Sequence, residues 1–192
     1  EVGGFLSVGS KAAAFALMVR FVLGFDGEVP VLQGLSTFLG IGLGVMAVIS
    51  MTFGNLAAYT QTNMKRLLAY STIAQMGFLL LAMLSGVVDA DPAATASAYS
   101  AAMFYVITYA LTTLGTFGVI LLLAREGFEA EEIADLKGLN RRSPWYAFVM
   151  LVLMFSLAGI PPTVGFYAKL VVLQALLGDG LQAGMVWLAV IA

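Results

Sequence analysis

The 192-residue sequence contains no cysteine and no histidine. Without cysteine, these residues can form neither a disulfide framework nor a thiolate metal site. Without histidine, they lack the commonest metal ligand and the usual proton relay near neutral pH. Any proton transfer within this sequence must therefore use lysine, aspartate, glutamate, tyrosine or water.

Charged residues are also scarce. They make up 10% of the chain, whereas soluble domains carry about 25%. Hydrophobic residues make up 61%, the mean hydropathy is +0.98, and the net charge is only −2. This composition is typical of a polytopic membrane protein. The sequence begins at Glu1 and ends within an apolar run, and we interpret it as an internal piece of a longer protein.

Apolar stretches of about 20 residues predict about five full membrane spans and a truncated sixth. The predicted spans cover about 2–25, 33–57, 64–86, 97–124 and 144–177, and a last one begins near 181. We therefore expect an all-α, polytopic transmembrane helical bundle in which residues 1–192 belong to a single domain.

The fifth predicted span is too long for one straight crossing. Its roughly 34 residues would form about 50 Å of helix, against an apolar core of about 30 Å. Pro161 and Pro162 remove backbone donors and clash with the preceding helical turn, and Gly159 adds conformational freedom. We therefore expect two half-helices joined by an unwound link at Gly159–Pro162. The alternative is two separate spans with a tight turn at the prolines.

Positive charge alternates from one predicted loop to the next. Lys65, Arg66 and the segment 125–142 carry positive residues, whereas the alternate loops carry only acidic ones. The positive-inside rule then places the loops near 58–66 and 125–143 on the cytoplasmic side, provided that the fifth stretch crosses the membrane once. Within the second of these loops, the sequence EAEEIADLKGL predicts a short amphipathic helix.

Two lysines lie at depth within predicted spans: Lys11 close to the centre of the first, and Lys169 in the second half of the fifth. A charge at the bilayer centre costs at least ~2.5–3.5 kcal/mol, and the predicted spans offer no acidic partner. Because burial favours the neutral amine, a lysine in such a place can store and release one proton. The alternative is that each lysine caps unwound backbone or pairs with an acid elsewhere in the longer protein.

A polar stripe runs along the fourth predicted span. It consists of Tyr105, Thr108, Tyr109, Thr112 and Thr116, which recur at helical spacing. In a membrane such a face turns inward, where its hydroxyl groups either bond other helices or line a path for water. The sequence leaves both uses open.

The third predicted span begins at the membrane edge with Lys65, which can anchor the topology or take up protons. Further along this span, Ser71 and Gln75 in YSTIAQMG predict hydrogen bonds between helices. In the second span, the glycines of GIGLG indicate close helix packing.

Three segments resemble the antiporter-like membrane subunits of respiratory complex I, the NADH:quinone oxidoreductase. They are NMKRLLAYSTIAQMGFLLLAML, MFYVITYALTTLGTFGVILLLA and RRSPWYAFVMLVLMFSLAGIPPTVGFYAKLVVLQALL. Tyr105 and Tyr109 stand where the L and M branches of the family usually carry histidines. This favours the subunit N branch, the counterpart of mitochondrial NADH dehydrogenase subunit 2.

The resemblance implies a larger antiporter-like domain of two inverted repeats, each with one broken helix. It also implies that Lys11 links two half-channels, that Lys169 serves the second, and that both relay protons at the membrane midplane. The family's paired glutamate and lysine fall before Glu1. The implied setting is a bacterial inner membrane, where the subunit contacts a neighbouring antiporter-like subunit and small membrane subunits. NADH, FMN, iron–sulfur clusters and quinone belong to partner subunits, and the resemblance implies no cofactor, metal or nucleic acid for this chain.

Three other functions remain open at this point. A multisubunit cation/proton antiporter shares the same resemblance, and co-purification with quinone-reductase subunits would separate it from a complex I subunit. A purely structural membrane piece would retain the helices without moving protons. A solute transporter would need more polar groups than these spans contain.

Overall fold

The computed structural model describes residues 13, 17, 30–88, 92–124, 131–177 and 183–191. The first predicted span, which contains Lys11, lies outside the described residues except for two helical positions, Ala13 and Leu17. The first part of the 125–143 loop and the turn GDG at 178–180 lie outside them as well.

The described chain is helical. Its elements are α1 (Pro30–Tyr59), α2 (Met64–Val88), α3 (Pro92–Leu123), a 3₁₀ turn (Ile133–Leu136), α4 (Leu139–Arg142), α5 (Pro144–Ala158), α6 (Val164–Leu177) and α7 (Ala183–Ile191). An isolated β-bridge pairs Asn63 with Glu132, and the described ranges contain no strand. The predicted all-α class is therefore confirmed.

Three described helices are long and apolar enough to cross a membrane, by length and composition. The stretches that qualify are Phe38–Tyr59, Met64–Gly86 and Thr95–Leu123, which coincide with the second to fourth predicted spans. The apolar helices α5 and α6 have 15 and 14 residues. At 1.5 Å per residue each is about 21–22 Å long, which is less than an apolar core of about 30 Å.

The centre of the bundle is α2. About 61% of its apolar stretch is buried, against 28% for α1 and 22% for α3. One apolar cluster joins α1, α2, α3 and α6 around Ala82 and Val172. A second joins α2, α3 and α5 around Ile120 and Met150.

The helices α5 and α6 lie against different halves of α3. The cluster that contains α5 includes Tyr109 and Ile120 of α3, whereas the cluster that contains α6 includes Ala101 and Tyr105. The half-helices therefore follow one another along the bundle. Two separate spans would lie side by side at the same level, so this arrangement confirms a single broken crossing.

The backbones of α1 and α2 come close together at Gly54 and Gly77. A Cβ at Gly54 would lie 2.6 Å from the Ala74 backbone nitrogen, and one at Gly77 would lie 2.9 Å from the Ala47 carbonyl oxygen. A Cβ at Gly42 would meet no described atom within 4 Å. A Cβ at Gly44 would lie 3.6 Å from the side chains of Leu84 on α2 and Leu188 on α7, so this part of GIGLG packs against neighbouring helices. At Gly42 the expectation of close packing stays a prediction.

The turn between α1 and α2 is fastened to the loop that precedes α4. The Met64 N–H donates to the Glu131 carbonyl over 2.6 Å. The Glu131 carboxylate forms an ion pair with Lys65 and accepts a hydrogen bond of 3.1 Å from the Asn63 amide. The two positive loops therefore lie at the same end of the bundle, and the side of the membrane that they face stays a prediction.

The described part of the second loop contains two short turns. The 3₁₀ turn Ile133–Leu136 and the one-turn helix α4 are separated by Gly138, whose φ is +74°. The Arg142 guanidinium donates to the carbonyl oxygens of Asp135 and Lys137 at 2.8 and 3.1 Å, which ties the two turns together.

Candidate functional site

The first half-helix, α5, ends at Ala158 and is capped by Gly159, whose φ is +79°. The N–H groups of Gly159 and Ile160 donate to the Phe155 carbonyl at 2.9 and 3.0 Å, an arrangement typical of helix ends that close on a left-handed residue. Pro161 and Pro162 follow in an exposed turn, and α6 begins at Val164. The break therefore lies at Gly159–Pro162, as the sequence predicts.

Two glycines allow the start of α6 to lie beside the end of α5. A Cβ at Gly165 would overlap the Ser156 carbonyl group, and the Gly165 N–H donates to the Ser156 Oγ at 3.2 Å. A Cβ at Gly159 would lie 3.0 Å from the Cδ of Lys169. Side chains at these two positions would separate the half-helices or displace the lysine.

Lys169 projects from α6 towards the end of α5. Its Nζ donates to the Ala158 carbonyl oxygen at 3.3 Å and lies 4.8 Å from the centroid of the Phe78 ring. The carbonyl end of a helix carries the negative pole of its dipole, and the face of an aromatic ring also attracts cations. The structure thus gives Lys169 the backbone contact that the sequence left open as one alternative.

A hydrogen-bond network joins α2 and α3 to the same half-helix end. The Gln75 Nε2 donates to the Leu157 carbonyl at 3.1 Å, and the Tyr105 hydroxyl donates to the Gln75 Oε1. The hydrogen bond between helices predicted for Gln75 is therefore confirmed. A second one is made by Thr72, the residue after Ser71, whose Oγ1 accepts a bond of 2.7 Å from Tyr109.

The polar stripe of α3 makes two kinds of hydrogen bond. The two tyrosines bond α2, whereas the hydroxyls of Thr112 and Thr116 each donate over 2.8 Å to a carbonyl four residues earlier in α3. Thr116 is fully buried and Thr108 is 8% exposed. Part of the stripe therefore bonds a neighbouring helix and part lines a cavity, and its use as a path for water stays a prediction.

That cavity lies where α2, α3 and the two half-helices meet. It is lined by ten residues, among them Gln75, Tyr105, Thr108, Tyr109, Thr112 and Lys169. Its volume is about 20 Å³, which is enough for about one water molecule. Because Gln75 lies near the middle of α2 and Thr108 near the middle of α3, the cavity sits at about half the depth of the bundle.

The structure therefore brings together Lys169 and four of the stripe residues that the sequence singled out. Lys65 lies apart from them, at the start of α2 in its ion pair with Glu131. Lys11 is outside the described residues, so its relation to Lys169 stays a prediction. Sequence reasoning missed Phe78, although its spacing of three residues from Gln75 places both on one face of a helix.

Metal ligands are not gathered in this site. Across the residues that the structure describes, no group of three or more histidine, cysteine, aspartate or glutamate side chains is placed to hold a metal ion.

Comparison with known proteins agrees with the fold. A family model described as "NADH:quinone oxidoreductase/Mrp antiporter, TM" matches residues 1–192. Relatives named NADH-quinone oxidoreductase subunit N include one from Cupriavidus taiwanensis, which is 58% identical over 184 residues, covering 96% of this chain and 35% of the relative. One from Herminiimonas arsenicoxydans is 58% identical over 182 residues, covering 95% and 35%.

A third relative of the same name, from Paraburkholderia phymatum, is 54% identical over 191 residues, covering 100% of this chain and 36% of the relative. The chain thus spans about a third of the length of the relatives it matches. The match over the whole chain, together with helices that can cross a membrane, shows that the chain belongs to the NADH:quinone oxidoreductase/Mrp antiporter transmembrane family of integral membrane proteins.

Proposed function

We propose that this chain is part of a proton-translocating membrane subunit of a respiratory NADH:quinone oxidoreductase. The observation that carries the proposal is the position of Lys169, which helps to line a small cavity at half the depth of the bundle together with the hydroxyl-bearing side chains of α3. A charged amine at that depth in a membrane is costly, and ionisable residues placed there usually have a function. The names of the relatives support the association with quinone reduction.

In this proposal, Lys169 alternates between a charged and a neutral amine. When it is charged, the Ala158 carbonyl and the Phe78 ring stabilise it. When it is neutral, its proton has passed to water in the cavity that it shares with Tyr105, Thr108, Tyr109 and Thr112.

Lys11 is the second proton carrier in this proposal. A charge change on one buried amine acts on another over long distances where the dielectric constant is low. Protonation of one lysine then favours release from the other, so that protons pass along the midplane through water and the hydroxyl groups of α3. Because Lys65 lies at the end of the bundle that carries the positive loops, we assign it the anchoring of that end.

The remaining parts of the proposal concern the whole complex. Quinone reduction in partner subunits drives the relay, and NADH, FMN, iron–sulfur clusters and quinone are bound there. Another antiporter-like subunit and small membrane subunits are the neighbours in the bacterial inner membrane. The loops near 58–66 and 125–143 face the cytoplasm, in accordance with the positive-inside rule.

The experiment compares Lys169→Met with Lys137→Met in the full-length protein, within the complete complex in inverted membrane vesicles. Lys137 is an exposed lysine in the loop before α4, which makes it a matched control for the loss of one amine. We expect fewer protons taken up per NADH oxidised for Lys169→Met and an unchanged ratio for Lys137→Met. An unchanged ratio for Lys169→Met would show that the proposed role is wrong.

A second candidate is a subunit of a multisubunit cation/proton antiporter, because the description of the matching family names both kinds of protein. Affinity purification of the full-length protein separates the two. The complex I proposal expects quinone-reductase subunits to co-purify, and proton uptake to depend on NADH. A sodium gradient that drives proton exchange without NADH, in a preparation lacking those subunits, would favour the antiporter.

A further inference from the structure

The last carbonyl groups of α5 are satisfied by donors from three different parts of the chain. The Phe155 carbonyl accepts from the backbone that follows the helix. The Leu157 carbonyl accepts from Gln75 on α2, and the Ala158 carbonyl accepts from Lys169 on α6. Because the last carbonyl groups of a helix have no partner within the helix, Gln75 and Lys169 complete the same cap.

The Gln75 side chain is held in one orientation by the Leu157 carbonyl, which can only accept a hydrogen bond and therefore requires the NH₂ group of the amide. The Oε1 then points to Tyr105, whose hydroxyl donates to it. The opposite orientation would place Oε1 against the carbonyl oxygen of Leu157, and that hydrogen bond would be lost. Gln75 is 6% exposed and Tyr105 is 3% exposed, so water has little access to either bond.

The carbonyl held by Gln75 precedes the one that contacts Lys169. Leu157 and Ala158 share a peptide unit, and the next residue is Gly159, whose lack of a side chain leaves the backbone freer to rotate. A fixed Leu157 carbonyl restricts that rotation on one side of Ala158. It thereby keeps the Ala158 carbonyl directed at the lysine amine.

We infer that Gln75 is a positioning residue for Lys169: through Leu157 it holds the end of α5 in the orientation that gives the lysine amine its carbonyl partner. The inference rests on the proposed function, because it assigns Gln75 a part in proton transfer by Lys169. Gln75 touches the cavity without exchanging protons itself, since an amide does not titrate. Tyr105 supports Gln75 from the other side.

The main experiment replaces Gln75 by methionine, which has similar length and volume but makes neither hydrogen bond. The variant is built in the full-length protein and measured in the complete complex in inverted vesicles. Because the carbonyl partner of the lysine amine is then no longer held in place, we expect a loss of proton uptake per NADH that is no larger than the loss in Lys169→Met. Gln61→Met is the matched control, because Gln61 lies in the turn between α1 and α2, and its ratio should not change.

The readout separates positioning from a structural role. A merely structural role would lower the amount of assembled complex and leave the ratio of protons to NADH unchanged, which would overturn the inference.

Gln75→His, which keeps a donor and an acceptor, should recover part of the ratio, and no recovery would also count against the inference. If Gln75→Met fails to assemble, Tyr105→Phe removes only the hydroxyl bond and should lower the ratio to a smaller extent; an unchanged ratio there overturns the inference.

Measuring Lys169→Met alongside these variants distinguishes a failure of the inference about Gln75 from a failure of the proposed function. If Lys169→Met loses proton uptake while Gln75→Met keeps it, the inference about Gln75 fails and the proposed function stands. If Lys169→Met keeps proton uptake, the proposed function fails, and the inference fails with it.

Discussion

The amine of Lys169 lies 3.3 Å from the carbonyl oxygen of Ala158, at the open end of a half-helix. The broken helix thus supplies a polar partner for its own lysine, with a dipole in place of a formal negative charge. A carboxylate partner would be left as an uncompensated buried charge whenever the lysine became neutral, and such charges are costly. A carbonyl partner avoids that cost, so the amine can gain or lose its proton within a fixed backbone.

Gly159→Ala should destabilise the protein by about 1–2 kcal/mol, because φ of +79° is unfavourable for any residue with a side chain. It should also lower proton uptake, since the new Cβ would lie 3.0 Å from the Cδ of Lys169. Gly138→Ala is the control: its φ is +74°, but its Cβ would meet no described atom within 4 Å. Thermal unfolding and proton uptake are measured for both variants. Equal proton uptake in Gly159→Ala and Gly138→Ala would show that crowding of Lys169 by the new Cβ does not affect proton transfer.

Gly54→Ala should separate α1 from α2. The added Cβ would lie 2.6 Å from the Ala74 backbone nitrogen, and backbone shifts of this kind typically cost about 1–3 kcal/mol. Gly42→Ala, on the same helix but without a described neighbour within 4 Å, should be neutral or slightly stabilising because alanine favours helix. The midpoint of thermal unfolding of the purified complex measures both changes. A larger loss for Gly42→Ala than for Gly54→Ala would show that the helices pack through another face.

The ion pair between Lys65 and Glu131 should couple the two loops weakly. Their side chains are 37% and 31% exposed, and ion pairs with this degree of exposure contribute about 0.2–1 kcal/mol. A double-mutant cycle with Lys65→Met and Glu131→Gln, read by thermal unfolding at low and high salt, should give a coupling energy in that range that falls with salt. Strictly additive effects would mean that the backbone bonds at Met64 hold the loops without help from the charges.

The broken helix and the helical spans that the structure confirms could be predicted. They follow from the length of the apolar stretches and from residues with strong local effects on the backbone. A stretch too long for one crossing, with Gly159 and two prolines inside it, leaves few alternatives. For Lys169, the sequence left a backbone cap open as one alternative, but it did not show which carbonyl group would be the partner. The partner depends on Gly165 lying against Ser156, a contact between positions that the break alone does not bring together.

The network around Gln75 was predictable only in part. A polar side chain in an apolar helix indicates a bond to a neighbouring helix, but a single sequence does not show which helix supplies the partner. Ser71 and Thr72 are adjacent in the sequence, so the directions of their side chains differ by about 100° around the helix axis. Only the packing of α2 against α3 determines that Thr72 meets Tyr109.

The proton-to-NADH ratio of Lys169→Arg tests the central claim most directly. Arginine stays charged in proteins, so it can cap the carbonyl end of α5 but cannot release a proton as lysine does. If Lys169 carries protons, the complete complex with Lys169→Arg should assemble and oxidise NADH while taking up fewer protons per NADH than the wild type. A wild-type ratio for Lys169→Arg would show that a fixed charge is sufficient at this position and that Lys169 is not a proton carrier.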